Sequence, residues 1–123
     1  MKSKTKPRIP KSVQVGACRY SITDNAVEID AAMRELDYSP KDADGLTDHG
    51  LCRIFIEPDQ HISQKQDTTL HEVLHCVWRI SDWTTKVPKD DPEEYIIKRM
   101  TAGLLDTMQR NPKLIAYLLY KGK

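Results

Sequence analysis

The sequence predicts a small α+β domain that contains two strand segments and several amphipathic helices. Alternating apolar residues at 12–22 and 51–57 are typical of half-buried strands, whereas the second half of the chain repeats apolar residues every three or four positions. With 123 residues, 19 basic and 18 acidic side chains and 39% hydrophobic residues, the chain can bury one core. We therefore expect a single domain over residues 12–123, preceded by a basic arm over residues 1–11.

The basic arm contains five cations and no apolar run. A charged stretch without interleaved aromatic residues is typical of a solvated, flexible tail, and contact with nucleic acid is the less favoured interpretation. The arm lacks the apolar segment of a signal peptide, and no later segment approaches the length of a membrane span. We expect a cytoplasmic protein with no membrane partner.

Three cysteines, Cys18, Cys52 and Cys76, are an odd number with no Cys-x-x-Cys spacing. The pattern indicates neither a disulfide framework nor a structural zinc knuckle. We interpret all three as buried free thiols.

The first half of the chain combines strands, one helix and a loop. The alternation from Ser12 to Ile22 changes phase near Gly16-Ala17, which predicts one bent strand with a bulge. A short helix follows from Asn25 to Asp37, capped by Asp24 or Asn25. Tyr38 to Gly50, rich in Pro, Asp and Gly, predicts a loop. A second strand then runs from Leu51 to Glu57 and is ended by a proline.

The last two helices have clear start signals. Asp91-Pro92-Glu93-Glu94 opens a helix with a capping residue, a proline at the first helical position and an acid at the third. Asn111-Pro112 repeats the cap and proline and begins a short helix that runs to about Tyr120. The predicted buried side of the longer helix consists of Ile97, Met100, Leu104 and Met108.

The segment from Asp67 to Trp78 contains His71-Glu72-Val73-Leu74-His75, a His-Glu-x-x-His motif within a helical pattern. The helix should begin at a cap in the window from Ser63 to Asp67 and end near Ile80. At ~100° of rotation per residue, His71 and His75 lie on one side of the helix, one turn apart. They flank a predicted apolar stripe of four residues: Leu70, Val73, Leu74 and Val77.

This spacing predicts a zinc site. Two imidazoles one turn apart can share a metal ion, and Glu72, about 100° from His71, can face a metal-bound water as a general base. The alternative is a structural histidine pair on a helix surface, with Glu72 as a hydrogen-bonding neighbour. We prefer the metal site because the motif falls on a helix with the correct amphipathic phase.

A catalytic zinc usually has three protein ligands and one open position, so a further ligand is needed. A third histidine six residues after the second is absent, since that position is Ser81. Glu93 and Glu94 begin the following helix, and both are candidates. Relative to Ile97, Glu93 points more nearly inward, and Glu94 has the spacing to cap its own helix, so we prefer Glu93. An acidic first turn that complements the helix dipole is the alternative for both.

Several segments resemble the small single-domain zincins encoded in bacteriophages and prophages. They are Thr69 to His75, Glu93 to Ile97, Thr101 to Leu104 and Asn111 to Leu114, and they cover about half of the chain in the expected order. The resemblance implies a minimal, gluzincin-like zincin fold, with a small antiparallel sheet over the metal helix and a glutamate-bearing helix after it. The part of the chain before Leu51 resembles the family less.

The resulting hypothesis is a zinc metallopeptidase that binds one Zn²⁺ and hydrolyses peptide or protein substrates. Glu72 would activate the zinc-bound water and then protonate the leaving amine. The edge of the strand from Leu51 to Glu57 could bind an extended substrate, and His49 or His61 could assist, although exposed loop histidines are the alternative. Two other classes stay open: a non-catalytic, zinc-stabilised binding module, and a nucleic-acid-associated protein that uses the basic arm.

Overall fold

The computed structural model describes residues 7–36, 44–81 and 88–121, and these form a four-stranded sheet and four helices. The predicted α+β class is confirmed. In chain order the elements are β1 (Ser12–Val15), β2 (Cys18–Thr23), α1 (Ala26–Glu35), β3 (Gly45–Asp48), β4 (Arg53–Ile56), α2 (Ile62–Ile80), α3 (Pro92–Arg110) and α4 (Pro112–Leu119).

The segment from Ser12 to Ile22 is a β-hairpin, so the prediction of one bent strand is wrong. β1 and β2 pair antiparallel, with Val15 opposite Cys18 across a turn of two residues. Gly16 begins that turn at φ +60°, a conformation that glycine adopts without a Cβ clash. The change of phase in the sequence therefore marks a chain reversal.

The sheet has the order β1-β2-β4-β3, in which β2 and β4 run parallel and β3 pairs antiparallel with β4. The expected antiparallel sheet is therefore wrong: the sheet is mixed, because α1 lies between β2 and the β3–β4 pair in the chain. β3 lies inside the segment that the sequence predicted to be a loop, so that prediction is wrong at Gly45–Asp48, while residues 38–43 lie outside the described part of the chain. β4 is paired on both sides, and Ile54, Phe55 and Ile56 are all buried. The strand predicted from Leu51 to Glu57 is thus an inner strand, with β2 on one side and β3 on the other.

Helices cover the two faces of the sheet. On one face, Ala32 and Met33 of α1 pack on Phe55. On the other face, the main core joins the inner side of the sheet to α2 and α4 and includes Ile54 and Val73. Of the two predicted caps for α1, Asn25 is the observed one: its side chain accepts a hydrogen bond from the Glu28 backbone amide at 3.0 Å.

The helix α2 begins before the predicted window, because His61 serves as its N-cap. The ring Nδ1 of His61 accepts a hydrogen bond from the Ser63 backbone amide at 3.3 Å, in the role usually filled by a Ser, Thr, Asp or Asn oxygen. The helix ends at Ile80, as predicted. Val73 and Val77 are buried as expected, but Leu70 is 38% exposed, so the predicted stripe is wrong at that position.

The helix α3 begins as predicted, with Asp91 accepting a hydrogen bond from the Glu94 backbone amide at 3.2 Å. Its buried side is narrower than predicted: Ile97 is 52% and Met108 is 46% exposed. Met100 and Leu104 do pack against the core. A helix that covers only the margin of a core needs a narrower apolar side than its periodicity suggests.

Asn111 precedes α4 at the predicted position, but its side chain does not cap that helix. It accepts a hydrogen bond from the Gln14 backbone amide and donates to the carbonyls of Gln14 and Thr107, at 2.7–2.8 Å. This links the start of α4 to β1. Among the described residues, each helix is too short or too polar to cross a lipid bilayer.

Of the predicted basic arm, residues 1–6 lie outside the described chain. In the part that is described, Ile9 packs against the core and Pro10 is buried. The Lys11 carbonyl accepts a hydrogen bond from the Ile22 backbone amide at 2.8 Å. Lys11 thus extends the pairing of β1 with β2 by one residue.

Candidate metal centre

His71 and His75 lie on the exposed side of α2 and face one another. Their Nε2 atoms are 3.2 Å apart, with ring centroids 4.9 Å apart and ring planes at 75°. Two nitrogen ligands at ~2.0–2.1 Å from a tetrahedral zinc ion lie roughly 3.3 Å apart, so the observed separation fits a shared metal. The same separation also permits one ring to donate a hydrogen bond to the other.

Glu72 is only 6% exposed, and its two carboxylate oxygens have different neighbours. Oε1 accepts a hydrogen bond from the Thr47 hydroxyl at 2.8 Å, whereas Oε2 lies 3.9 Å from Nε2 of His71. One oxygen is therefore anchored to β3 while the other faces the histidine pair. Thr47 was missed by sequence reasoning because the strand that carries it was predicted to be a loop.

Gly45 allows β3 to lie directly on α2. A Cβ atom at this position would lie 2.7 Å from Cγ2 of Thr68 and 3.1 Å from Cγ of Glu72. The first distance is shorter than packed carbon atoms tolerate. The missing side chain is thus what brings the strand within hydrogen-bonding distance of the Glu72 carboxylate.

Cavities open on both sides of His71. One, of about 220 Å³, has a polar lining that includes Asp44, Asp67 and Glu72. The other, of about 300 Å³, is lined by both histidines and by three apolar side chains: Leu74, Trp78 and Met100. A larger cavity of about 810 Å³ lies elsewhere, between β2, α1 and the N-terminal segment. Because it does not include the histidine pair, we assign the chemistry to the two smaller cavities.

The third metal ligand is not evident in the described residues. There, no three His, Cys, Asp or Glu side chains are arranged to hold a metal ion, so Glu93 and Glu94, both exposed on the first turn of α3, are not grouped with the histidine pair. Three further residues, His49, His61 and Asp82, are the remaining candidates for the third ligand. The ring of His61 caps the N-terminus of α2, and position 82 lies outside the described residues. The assignment of Glu93 or Glu94 stays a prediction.

His49 follows β3 and is half-buried, unlike the exposed His61. Its Nδ1 lies 2.9 Å from the hydroxyl of Tyr20, and the two rings meet edge to face at 85°. Burial, and then the positive charge of Arg79, lower the pKa of His49. Burial also raises the pKa of Tyr20 to about 12. A neutral imidazole thus meets a protonated phenol.

The three cysteines are free thiols, as predicted. Cys76 lies on the buried side of α2, and burial raises its pKa to about 12. Cys18 and Cys52 are only partly buried, so the prediction of burial holds fully for Cys76 alone.

Comparisons with protein families, curated proteins and solved structures give no match to this chain.

Proposed function

We propose that this chain is a zinc-dependent metallopeptidase. The observation that carries the proposal is the pair of Nε2 atoms of His71 and His75, 3.2 Å apart, with a free oxygen of the buried Glu72 carboxylate facing them. A surface histidine pair without a metal has no need of a buried carboxylate beside it, since burying an ionised group is costly. The resemblance to the small phage-type zincins supports the same reading.

Zinc held by two imidazoles and a carboxylate would acidify a water molecule and polarise a peptide carbonyl. Glu72 then acts as the general base through Oε2, which is the oxygen left unanchored by Thr47. It takes a proton from the attacking water and passes it to the leaving amine as the peptide bond breaks. The Thr47 hydroxyl keeps the carboxylate in one orientation through both proton transfers.

The proposed substrate site lies along the edge of β3. The sequence had favoured the edge of the strand from Leu51 to Glu57. Both edges of β4 are occupied by β2 and β3, so β4 cannot accept a further strand. β3 is the last strand on this side of the sheet among the described residues, and it lies on the helix that carries the motif. An extended peptide that adds to the edge of β3 would pass the histidine pair and fill the two cavities beside His71.

The test combines metal analysis with turnover. The purified protein should hold close to one zinc per chain, and His71→Ala or His75→Ala should abolish binding, whereas His61→Ala should not. Glu72→Gln should retain zinc and lower the rate of peptide-library cleavage by at least ~100-fold. Full zinc occupancy without cleavage of any peptide by the parent protein would instead favour the non-catalytic binding module.

A further inference from the structure

One of the two cavities beside His71 has an apolar lining that the proposed proton transfers do not use. Its volume is about 300 Å³, and the described residues that line it are His71, Leu74, His75, Trp78 and Met100. None of these is an acid, a lysine or an arginine. Because both imidazoles of the candidate metal pair belong to the lining, a group that fills this cavity lies directly beside them.

Two helices build this cavity. Leu74 and Trp78 lie on the same side of α2 as the histidine pair, because positions 71, 74, 75 and 78 are three or four residues apart. Met100 comes from α3. The two helices approach closely at Gly103, where a Cβ atom would lie 3.3 Å from Cγ1 of Val77. Met100, one turn before Gly103 on α3, thus closes the cavity opposite the α2 side chains.

The size and chemistry of the cavity suit one apolar side chain. Its volume of about 300 Å³ is at the lower end of the ~300–1,000 Å³ typical of small-molecule pockets. A charged side chain would lose water there without gaining an ionic partner from the lining, which is costly. Trp78 is 45% exposed, so an occupant would cover apolar surface. Met100 is unbranched and flexible, and such a side chain adapts to occupants of different shape.

The cavity on the other side of His71 has the opposite character, because Asp44, Asp67 and Glu72 are part of its lining. Successive side chains of an extended peptide point to opposite sides of its backbone. Of the two residues that flank a scissile bond at the histidine pair, only one can therefore direct its side chain into the apolar cavity. A preference for apolar side chains should thus occur at one of these two positions and not at both.

We propose that the cavity between α2 and α3 binds a large apolar side chain of the peptide substrate next to the scissile bond, and that Leu74, Trp78 and Met100 determine this specificity. This inference rests on the proposed function and names the substrate class of the same site. Leucine, methionine and phenylalanine should all be accepted, because the lining is apolar and includes a flexible methionine. Aspartate, glutamate and small side chains should be poor substrates at this position.

The first test identifies the bonds that the full-length parent protein cleaves in a peptide library. We expect leucine, methionine or phenylalanine at one of the two positions that flank the cleaved bond. Replacing that residue of the best peptide with alanine should lower kcat/KM by about 10- to 100-fold, because burial of a large apolar side chain is lost. Cleavage without this preference, or with the same preference at both positions, would overturn the inference and leave the peptidase function intact. A parent protein that cleaves no peptide overturns both.

The second test locates the preference by binding, without turnover. In the zinc-loaded Glu72→Gln protein, fluorescence polarisation should show the labelled best peptide binding about 10- to 100-fold more tightly than its alanine counterpart. Adding Met100→Trp fills the cavity and should reduce this difference to less than about threefold, with zinc content unchanged. Leu105→Trp is the matched control, since this exposed α3 residue is not part of the lining, and it should retain the difference.

If Met100→Trp does not fold, Leu74→Trp fills the same cavity from α2 and should have the same effect. A difference that survives filling of the cavity would place the apolar subsite elsewhere and overturn the inference. An equal loss in Leu105→Trp would also overturn it, because the effect would then not depend on the cavity.

Discussion

The Thr47 hydroxyl donates a hydrogen bond to Oε1 of Glu72 at 2.8 Å and so connects the edge strand to the helix that carries the histidine pair. A carboxylate with one oxygen anchored cannot rotate freely, so its second oxygen stays toward His71. The general base is thus oriented by a residue from another element.

Removing that anchor should affect both stability and turnover. Thr47→Val keeps the side-chain shape but leaves the buried carboxylate without its donor, and we expect a loss of about 1.5–3 kcal/mol in the free energy of unfolding. Urea denaturation measures this, and peptide cleavage should slow as well. Thr101→Val is the control: that exposed hydroxyl bonds only to the carbonyl of Ile97 in its own helix, so the variant should resemble the parent.

Substitutions of the two glutamates at the start of α3 should differ in their effect on zinc affinity. Glu93→Gln is expected to weaken zinc affinity by about 10- to 100-fold, as for the loss of a ligand or a closely coupled carboxylate. Glu94→Gln should change the affinity little, because the described cap uses the Glu94 backbone amide, which the substitution preserves. Competition with a chelator measures both constants. A larger effect of Glu94→Gln would reverse the assignment, and no effect of either would direct the search for the third ligand elsewhere.

Gly45→Ala should separate β3 from α2. The added Cβ would lie 2.7 Å from a Thr68 carbon, so the strand must move by several tenths of an ångström and the bond between Thr47 and Glu72 must lengthen. We expect a loss of about 1–3 kcal/mol, as for other overpacked sites, together with slower cleavage. Gly50→Ala is the matched control, since its Cβ would meet only Oδ1 of Asp48 at 3.3 Å. Equal stability of the two variants would contradict this account.

Asn111 should contribute to the stability of the folded protein. Asn111→Ala leaves the Gln14 amide and two carbonyls without their partner, and we expect a loss of about 2–3 kcal/mol. Thermal or urea unfolding measures it. Arg110→Ala, which removes only an exposed ion pair with Asp106, should cost under ~1 kcal/mol. A similar loss in both variants would mean that the link between α4 and β1 contributes little.

Cys76 should resist alkylation in the native protein. Its pKa of about 12, raised by burial, leaves a thiolate fraction on the order of one in ten thousand at about pH 8. Iodoacetamide should therefore label the partly buried Cys18 and Cys52 first, with Cys76 labelled only after denaturation. Mass spectrometry of the tryptic peptides checks the order, and early labelling of Cys76 would show that α2 opens.

The sequence by itself determined the parts of this protein that depend on neighbours along the chain. The starts of α3 and α4 follow from Asp91-Pro92 and Asn111-Pro112, because cap and proline signals act within one turn. His71 and His75 lie side by side because residues four apart in an α-helix are on the same side, one turn apart. This does not depend on the packing around the helix.

Only the tertiary structure decided the rest of the candidate site. β3 has a glycine and an aspartate in four residues, so nothing local predicts a strand; it forms because β4 pairs with it and α2 supports it. Thr47 reaches Glu72 across 25 positions of the chain, and Tyr20 reaches His49 across 29. Such contacts depend on the register of strands and the approach of a helix, which are set by long-range packing and leave no periodic signal in the sequence.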